Sequence, residues 1–205
     1  MTTLTNIGTT RLPAQKEAAT VRLSPAGLSV GTPVTTSAGE CCVEDLKSGD
    51  RVLTKDLGMQ TIKCIAFRDV DLIAAPQKSP IHIPSGTFGA DRPGADLYLA
   101  PTQRIALKHP MFDSMFLARE VLIQARDLLY LAGVRQIEGL RGITYVSLGF
   151  LQNHLLYCGN MAVDLGPARN PGNRPVLCGE EARLACSLVR PQVPTMHQAA
   201  GFPLH

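Results

Sequence analysis

Closely spaced turns are the sequence feature that most restricts how this chain can fold. Between residues 33 and 67, turn-forming clusters at 37–40, 47–50 and 56–58 separate short β-prone runs at 33–36, 51–54 and 59–67. A new strand therefore begins about every ten residues, a spacing typical of all-β sandwiches and barrels. The same pattern predicts further short strands at Ile81–Ile83, Asp96–Leu99, Arg104–Leu107, Glu120–Leu122 and Gly139–Phe150. Helical spacing is confined to a few stretches, among them 124–131 and 178–189.

Length and composition predict a globular domain and argue against two classes of partner. The 205 residues are 45% hydrophobic and 18% charged. A chain of this length and composition can bury a core that is stable without a metal ion or disulfide bonds. No apolar run reaches the roughly 20 residues that cross a bilayer. The formal charge of +3 comes from scattered basic residues, so the chain lacks the basic patch of a nucleic-acid-binding protein. We expect neither a membrane nor a nucleic acid as partner.

The N-terminus and the cysteines predict a reduced, cytoplasmic protein. Residues 1–25 are polar and lack the continuous apolar core of a secretory signal. Six cysteines would then stay reduced. There is no C-x-x-C pair, and the adjacent Cys41 and Cys42 point to opposite faces if their segment is extended, which is unfavourable for zinc. We expect no metal site and no cofactor.

Changes in residue composition and pattern along the chain divide it into three parts. Residues 1–25 are rich in threonine and alanine without periodicity and predict a flexible N-terminal arm. Residues 26–167 carry the strand and turn pattern and form the predicted domain. Residues 168–205 are predicted to hold a Pro/Gly/Asn-rich linker, one short helix with acids in its first turn, and a C-terminal tail.

Five segments, taken in order, resemble the Hint (Hedgehog/intein) domains in their short bacterial form. They are GTPVTTSAGECCVEDLKSGDRVLTKDLGMQTI, IHIPSGTFG with DLYLAPTQRI, EVLIQARDLL, ITYVSL and HLLYCGNMAVD. The resemblance runs from about Gly27 to Pro167. It implies a mainly β, compact, pseudo-symmetric fold with short helices, and a relationship to self-processing domains that perform autoproteolysis and protein splicing.

The chemistry implied by this resemblance needs a nucleophile and a proton donor. A Hint domain starts with a cysteine, serine or threonine that attacks the preceding carbonyl, and a Thr-x-x-His motif polarises that peptide and protonates its nitrogen. Here the nucleophile position falls on Gly27, and the Thr-x-x-His positions fall on Ala100 and Gln103. Glycine has no side chain, and a glutamine amide does not titrate. Both groups needed for the first step are therefore replaced.

The last matching block keeps one titratable residue and loses another. His154 occupies a position like the family's second histidine. The turn that usually contains Asn-Gly is reversed here to Gly159-Asn160, and both residues tolerate positive φ. Where inteins carry a terminal His-Asn pair, this chain has Asp164 and Leu165. Without that asparagine the succinimide route to C-terminal release is absent, so splicing is excluded.

Two functional interpretations follow. In the first, the domain is degenerate and non-catalytic, and it serves as an interaction or scaffold module that presents its former cleft and C-terminal helix to a protein partner. In the second, it is a residual autocleavage domain that releases its N-terminal arm with a nearby serine, Ser24 or Ser29. The candidate site positions are thus Gly27, Ser29, Gln103 and His154. The sequence leaves open whether any intramolecular activity remains.

Overall fold

The computed structural model describes residues 26–152, 154–165 and 174–189. The predicted N-terminal arm and C-terminal tail lie outside the described residues, as does most of the predicted linker. Within the described ranges the chain is dominated by short strands, and the mainly β fold class predicted from the turn spacing is confirmed.

The described strands are β1 (Leu28–Ser29), β2 (Pro33–Thr36), β3 (Gly39–Cys42), β4 (Arg51–Thr54), β5 (Gly58–Thr61), β6 (Cys64–Asp71), β7 (Ile81–Ile83), β8 (Leu97–Leu99), β9 (Arg104–Lys108), β10 (Glu120–Gln124), β11 (Arg135–Gln136), β12 (Gly142–Gly149), β13 (Leu155–Cys158), β14 (Met161–Asp164) and β15 (Val176–Leu177). Two α-helices accompany them, α1 (Phe112–Phe116) and α2 (Gly179–Val189). Neither helix has the length and apolar character needed to span a membrane within these ranges.

Sheet 1 places the start of the domain at its centre. Its described strands follow the order β11-β7-β8-β1-β12-β6. The two-residue strand β1 is antiparallel to both neighbours, with Leu28 opposite Leu99 on β8 and Val146 on β12. Because β1 is bonded on both sides, the residues just before it are also fixed between β8 and β12.

Sheet 2 carries the later blocks and the C-terminal segment. Its order is β15-β10-β9-β14-β13-β2-β4-β5, with β3 paired to β2. The strand β15 adds to the sheet parallel to β10. The helix α2 follows it and buries Ala182, Ala185 and Cys186 against the main core. The C-terminal segment therefore packs on the same core as the rest of the described chain.

The two faces of sheet 1 have different surroundings, because side chains alternate along each strand. Leu28, Leu99 and Val146 point into the main core between the sheets. The other face carries a smaller cluster, here called the outer cluster. It consists of Ala26, Val70, Leu72, Ala100 and Tyr145, with Ile143 partly buried beside them.

Two predicted elements differ from the structure. The helical spacing in 124–131 corresponds to one short 3-10 turn, Ala125–Leu128, because β10 continues to Gln124 and only Ala125 and Leu128 of the turn are buried. The run from Met59 to Phe67 is not one strand. Ile62 exchanges backbone hydrogen bonds with the 49–50 turn, and the Lys63 N–H donates to Gly149 O on β12, so the chain passes from sheet 2 to sheet 1 there.

Candidate functional site

Hydrogen bonds hold the two peptide groups on either side of Gly27, one through Gly27 O and one through Ala26 O. The Ala100 N–H donates to Gly27 O at 3.3 Å. The Ser147 hydroxyl on β12 donates to Ala26 O at 3.0 Å, and it lies in a buried setting. The carbonyl that the family's nucleophile would attack is therefore already bonded to a serine that the sequence did not single out.

Gly27 lies where no side chain fits. A Cβ built on Gly27 would come within 2.9 Å of Tyr145 Cβ and 3.2 Å of Val146 O. Real Cβ atoms essentially never show contacts below 3.0 Å, and neither neighbour is the flexible end of a side chain. Any other residue at this position would force β1 away from β12.

Ser29 is buried, and its hydroxyl is engaged elsewhere. Its Oγ donates to Tyr98 O at 2.6 Å, while Ser29 O accepts a hydrogen bond from Thr32 Oγ1 at 2.7 Å. The side chain is 2% exposed. The proton of this hydroxyl is thus directed at a backbone carbonyl on β8. Ser29 itself lies two residues after Gly27, beyond the Ala26–Gly27 peptide.

Gln103 ends the turn between β8 and β9, residues 100–103, here called the polar corner. Its side chain contacts the segment at Asp164. Its backbone N–H donates to Ala100 O at 2.8 Å, which forms the turn between β8 and β9. Its side-chain Nε2 donates to Asp164 O, and its Oε1 is buried without a hydrogen-bond partner in the described part of the chain. The amide therefore contacts the Asp164–Leu165 peptide, where the resemblance puts the terminal His-Asn pair.

The backbone of His154 is hydrogen-bonded to the same Asp164–Leu165 peptide. Its carbonyl accepts a hydrogen bond from the Leu165 N–H at 3.1 Å. Its ring meets Phe150 edge to face, with the centroids 5.4 Å apart. Burial lowers the pKa of the His154 imidazole, and the carboxylate of Asp56 partly opposes that shift. Its neutral form is thus favoured.

Three of the four predicted positions, Gly27, Gln103 and His154, fall along one hydrogen-bonded path. Gly27 and Gln103 are joined through Ala100, which bonds to both. Gln103 and His154 are joined through the peptide between residues 164 and 165. Ser29 lies further along β1, on the side away from Gln103. The arrangement can hold two peptide groups in fixed geometry, but position 27 supplies no attacking atom and position 103 supplies no titratable proton.

A buried ion pair stabilises this end of the domain. Arg104, next to Gln103, approaches the Asp164 carboxylate at 2.6 Å, and the Asp164 side chain is fully buried. Removing one partner of such a pair costs about 3–5 kcal/mol because the other charge stays buried. Asp164, which lies where the resemblance puts the terminal His-Asn pair, is therefore part of the structural framework.

The structure gives His82 a partner that the sequence did not predict. Its Nε2 lies 2.7 Å from Asp96 Oδ2, and its ring stacks on Tyr98 with the centroids 4.8 Å apart. The pKa of Asp96 is lowered, first by the backbone N–H of Ser85 and then by His82. The contact depends on the pairing of β7 with β8, which sets His82 opposite Tyr98, and a local sequence pattern does not show that pairing.

Among the described residues, no group of three His, Cys, Asp or Glu side chains comes together as a metal site. All six cysteines are free thiols.

Comparisons with known proteins assign the fold. A family profile described as "Hint domain" matches residues 25–164. Among solved structures, the chain is similar to a splice-inactive variant of a class 3 split intein (15% identity, 69% of this chain and 98% of that one, TM-score 0.44). It is also similar to a bacterial intein-like domain from Clostridium thermocellum (12%, 70% and 100%, 0.46) and to the gp41-1 intein (13%, 68% and 98%, 0.41). None of the curated proteins matches the chain.

Proposed function

Because this chain belongs to the Hint domain family, we propose that it is a member that has lost self-processing and keeps the fold as a protein-interaction module. The observation that carries the proposal is the filled space at Gly27. A Cβ there meets Tyr145 and Val146 at distances that require the backbone to move. The position of the family's nucleophile thus has neither a reactive atom nor the volume for one.

The proton donor is missing for an independent reason. Cleavage of a peptide needs a group that can give a proton to the leaving nitrogen. Gln103 does not titrate, and its amide N–H is engaged with Asp164 O. Burial favours the neutral form of His154. Loss of both the nucleophile and the acid at their family positions supports the non-catalytic assignment better than either loss alone.

One observation favours a second candidate, a residual cleavage ahead of Gly27. The Ser147 hydroxyl lies 3.0 Å from Ala26 O, whereas the Ser29 hydroxyl bonds to Tyr98 O. Its hydrogen bond runs to the carbonyl oxygen, however, whereas attack needs a lone pair directed at the carbon. We therefore rank this candidate second and make Ser147 the serine to test.

Intact-mass measurement of the purified full chain tests the two candidates. We expect the 22.0 kDa chain to stay whole with and without hydroxylamine or thiol, since neither reagent finds an ester or thioester to cleave. A fragment that begins at Gly27, absent from the Ser147→Ala variant, would contradict the proposal. Ser29→Ala is the matched control, because it removes a buried hydroxyl of the same sheet that bonds to a different carbonyl.

The interaction role needs its own measurement. The chain would be used as bait against a lysate, beside a variant in which the exposed Leu184 of α2 is replaced by Glu. We expect a protein that copurifies in stoichiometric amount with the first bait and binds it again when both are purified. Absence of such a protein in every lysate tested would contradict the interaction role and leave the cleavage result unaffected.

A further inference from the structure

A cavity of about 430 Å³ opens beside the polar corner formed by residues 100–103. Its lining residues include the partly exposed Pro101, together with Ile81 and Tyr145, which are almost completely buried. Small-molecule sites in proteins usually measure about 300–1,000 Å³, so the cavity has the size of a site for a compact ligand. We refer to it as the corner cavity.

Three cationic side chains from separate elements line the corner cavity. Arg68 comes from β6, Lys78 from the 3-10 turn before β7, and Arg126 from the 3-10 turn after β10. None of the described residues that line the cavity carries a carboxylate. Within the described chain, no carboxylate forms an ion pair with any of the three. The cavity therefore concentrates positive charge, which attracts anions.

The apolar part of the corner cavity is held in place by hydrogen bonds. The Tyr145 hydroxyl donates to Lys78 O at 2.7 Å, and Gln136 Nε2 donates to Ser79 O at 3.0 Å. The guanidinium of Arg68 lies 5.8 Å from the centroid of the Tyr145 ring, within the range of a cation–π contact. Because Tyr145 is only 1% exposed, its ring positions the Arg68 guanidinium and is not itself an open surface of the cavity.

We propose that the corner cavity binds a small organic oxyanion, whose carboxylate or phosphate group contacts the guanidinium groups of Arg68 and Arg126 while its apolar body packs on the partly exposed Pro101. Guanidinium groups bind both anions through paired hydrogen bonds. The apolar wall favours an anion with an organic body over a bare inorganic ion. The proposal does not depend on whether the chain cleaves itself.

Calorimetric titration of the full chain tests the site with four probes. Benzoate and phenyl phosphate carry the proposed features, benzamide lacks the charge, and inorganic phosphate lacks the apolar body. We expect saturable binding of benzoate or phenyl phosphate at micromolar to millimolar concentration, and affinity at least about tenfold weaker for benzamide and for inorganic phosphate. The relative affinity of the two aromatic anions identifies the preferred head group.

Variants locate the binding. Because Arg68 and Arg126 are exposed at the cavity rim, we expect the double variant Arg68→Gln/Arg126→Gln to fold and to weaken aromatic-anion binding at least about tenfold. Arg119→Gln, which removes an exposed arginine outside the cavity, should leave it unchanged. Equal binding of benzoate and benzamide by the unmodified chain, equal binding by the double variant, or no binding of either aromatic anion would each overturn the proposal.

Discussion

At the scale of single residues, Gly27 shows how closely the chain ahead of β1 packs against β12. The residue lies at the start of β1, with its carbonyl bonded to the Ala100 N–H and its Cα facing Tyr145. Sequence comparison alone indicates that a side chain is absent. The structure adds that the neighbouring strand occupies the space, so that the glycine is required for the strands to approach.

The first prediction concerns this close approach. We expect Gly27→Ala to lower the free energy of unfolding by about 1–3 kcal/mol, since an added methyl group in a filled core forces the surroundings to shift. Denaturant unfolding measures it. Gly142→Ala is the control, because its Cβ would meet Val70 O at 3.4 Å, and we expect a change within about 0.5 kcal/mol. Equal effects at the two glycines would show that the space at residue 27 is available.

The second prediction concerns His154. Burial lowers its pKa below the ordinary 6.5, so the unfolded chain takes up this proton at a higher pH than the folded chain does. The stability that His154 contributes in its neutral form is complete above about pH 6.5, and it is lost as the pH falls from that value through the lower pKa of the folded state. We expect the free energy of unfolding to fall with acidification less steeply in His154→Gln than in the unmodified chain.

Imidazole resonances provide a direct check of this prediction. In the folded protein, the C2 proton signal of His154, assigned by its loss in the variant, should titrate with a midpoint below 6.5. A midpoint at or above that value would show that the ring is solvated or paired with a carboxylate, and the predicted difference in pH dependence would then have no cause.

At the scale of secondary-structure elements, the sequence predicts strands well where turn residues bound them. The strands at 33–36, 51–54 and 81–83 match those of the structure. The pairing of His82 with Asp96 could not be predicted, because it depends on the register between β7 and β8. Register between strands is set by the surrounding sheet and not by the local pattern.

The same limit applies at the candidate site. The family resemblance located Gly27 and Gln103 from local motifs, whereas Ser147 lies on β12, 121 positions from the carbonyl it binds. A serine within a regular strand gives no local signal of such a contact. The missing information is the three-stranded arrangement of β8, β1 and β12, which tertiary packing determines.

The third prediction belongs to the C-terminal strand and helix. Arg174 donates to the Asp56 carboxylate at 2.6 and 3.1 Å and to Glu120, and it is largely buried ahead of β15. We expect Arg174→Ala to lower the free energy of unfolding by about 1.5–3 kcal/mol, the range for hydrogen bonds to charged groups. Thermal and denaturant unfolding would measure the loss.

Arg183→Ala is the matched control for that change. Arg183 lies on α2, is 61% exposed in its side chain and faces Glu180 at 3.5 Å, and exposed pairs contribute less than about 1 kcal/mol. A loss no larger for Arg174→Ala than for this control would mean that α2 and β15 are held by apolar packing alone.

At the scale of the whole molecule, the two sheets enclose some thiols and leave others accessible. Cys158 and Cys186 are fully buried, whereas Cys42 and Cys178 are exposed. Burial raises the pKa of Cys186 to about 11 and also raises the pKa of Cys158, which suppresses the thiolate that reacts with electrophiles. The thiols therefore report on whether the core is closed.

The fourth prediction follows from this division. Iodoacetamide applied to the folded chain should modify Cys42 and Cys178 first and spare Cys158 and Cys186, as mapped by peptide mass. In guanidinium chloride all six cysteines should react, because unfolding exposes every thiol. Modification of Cys158 at the rate of Cys42 under native conditions would show that sheet 2 opens readily.

Under the proposed loss of self-processing, the distance between Gly27 and Tyr145 has an evolutionary consequence. A single change of Gly27 to cysteine would supply a nucleophilic sulfur atom. The new Cβ would still lie only 2.9 Å from Tyr145 Cβ on β12, so the side chain would not fit. Reactivation would require a second change that separates the two strands, and that change alone would leave a void and weaken the domain. The close spacing of β1 and β12 thus disfavours reversal, since each of the two changes alone lowers stability without restoring reactivity.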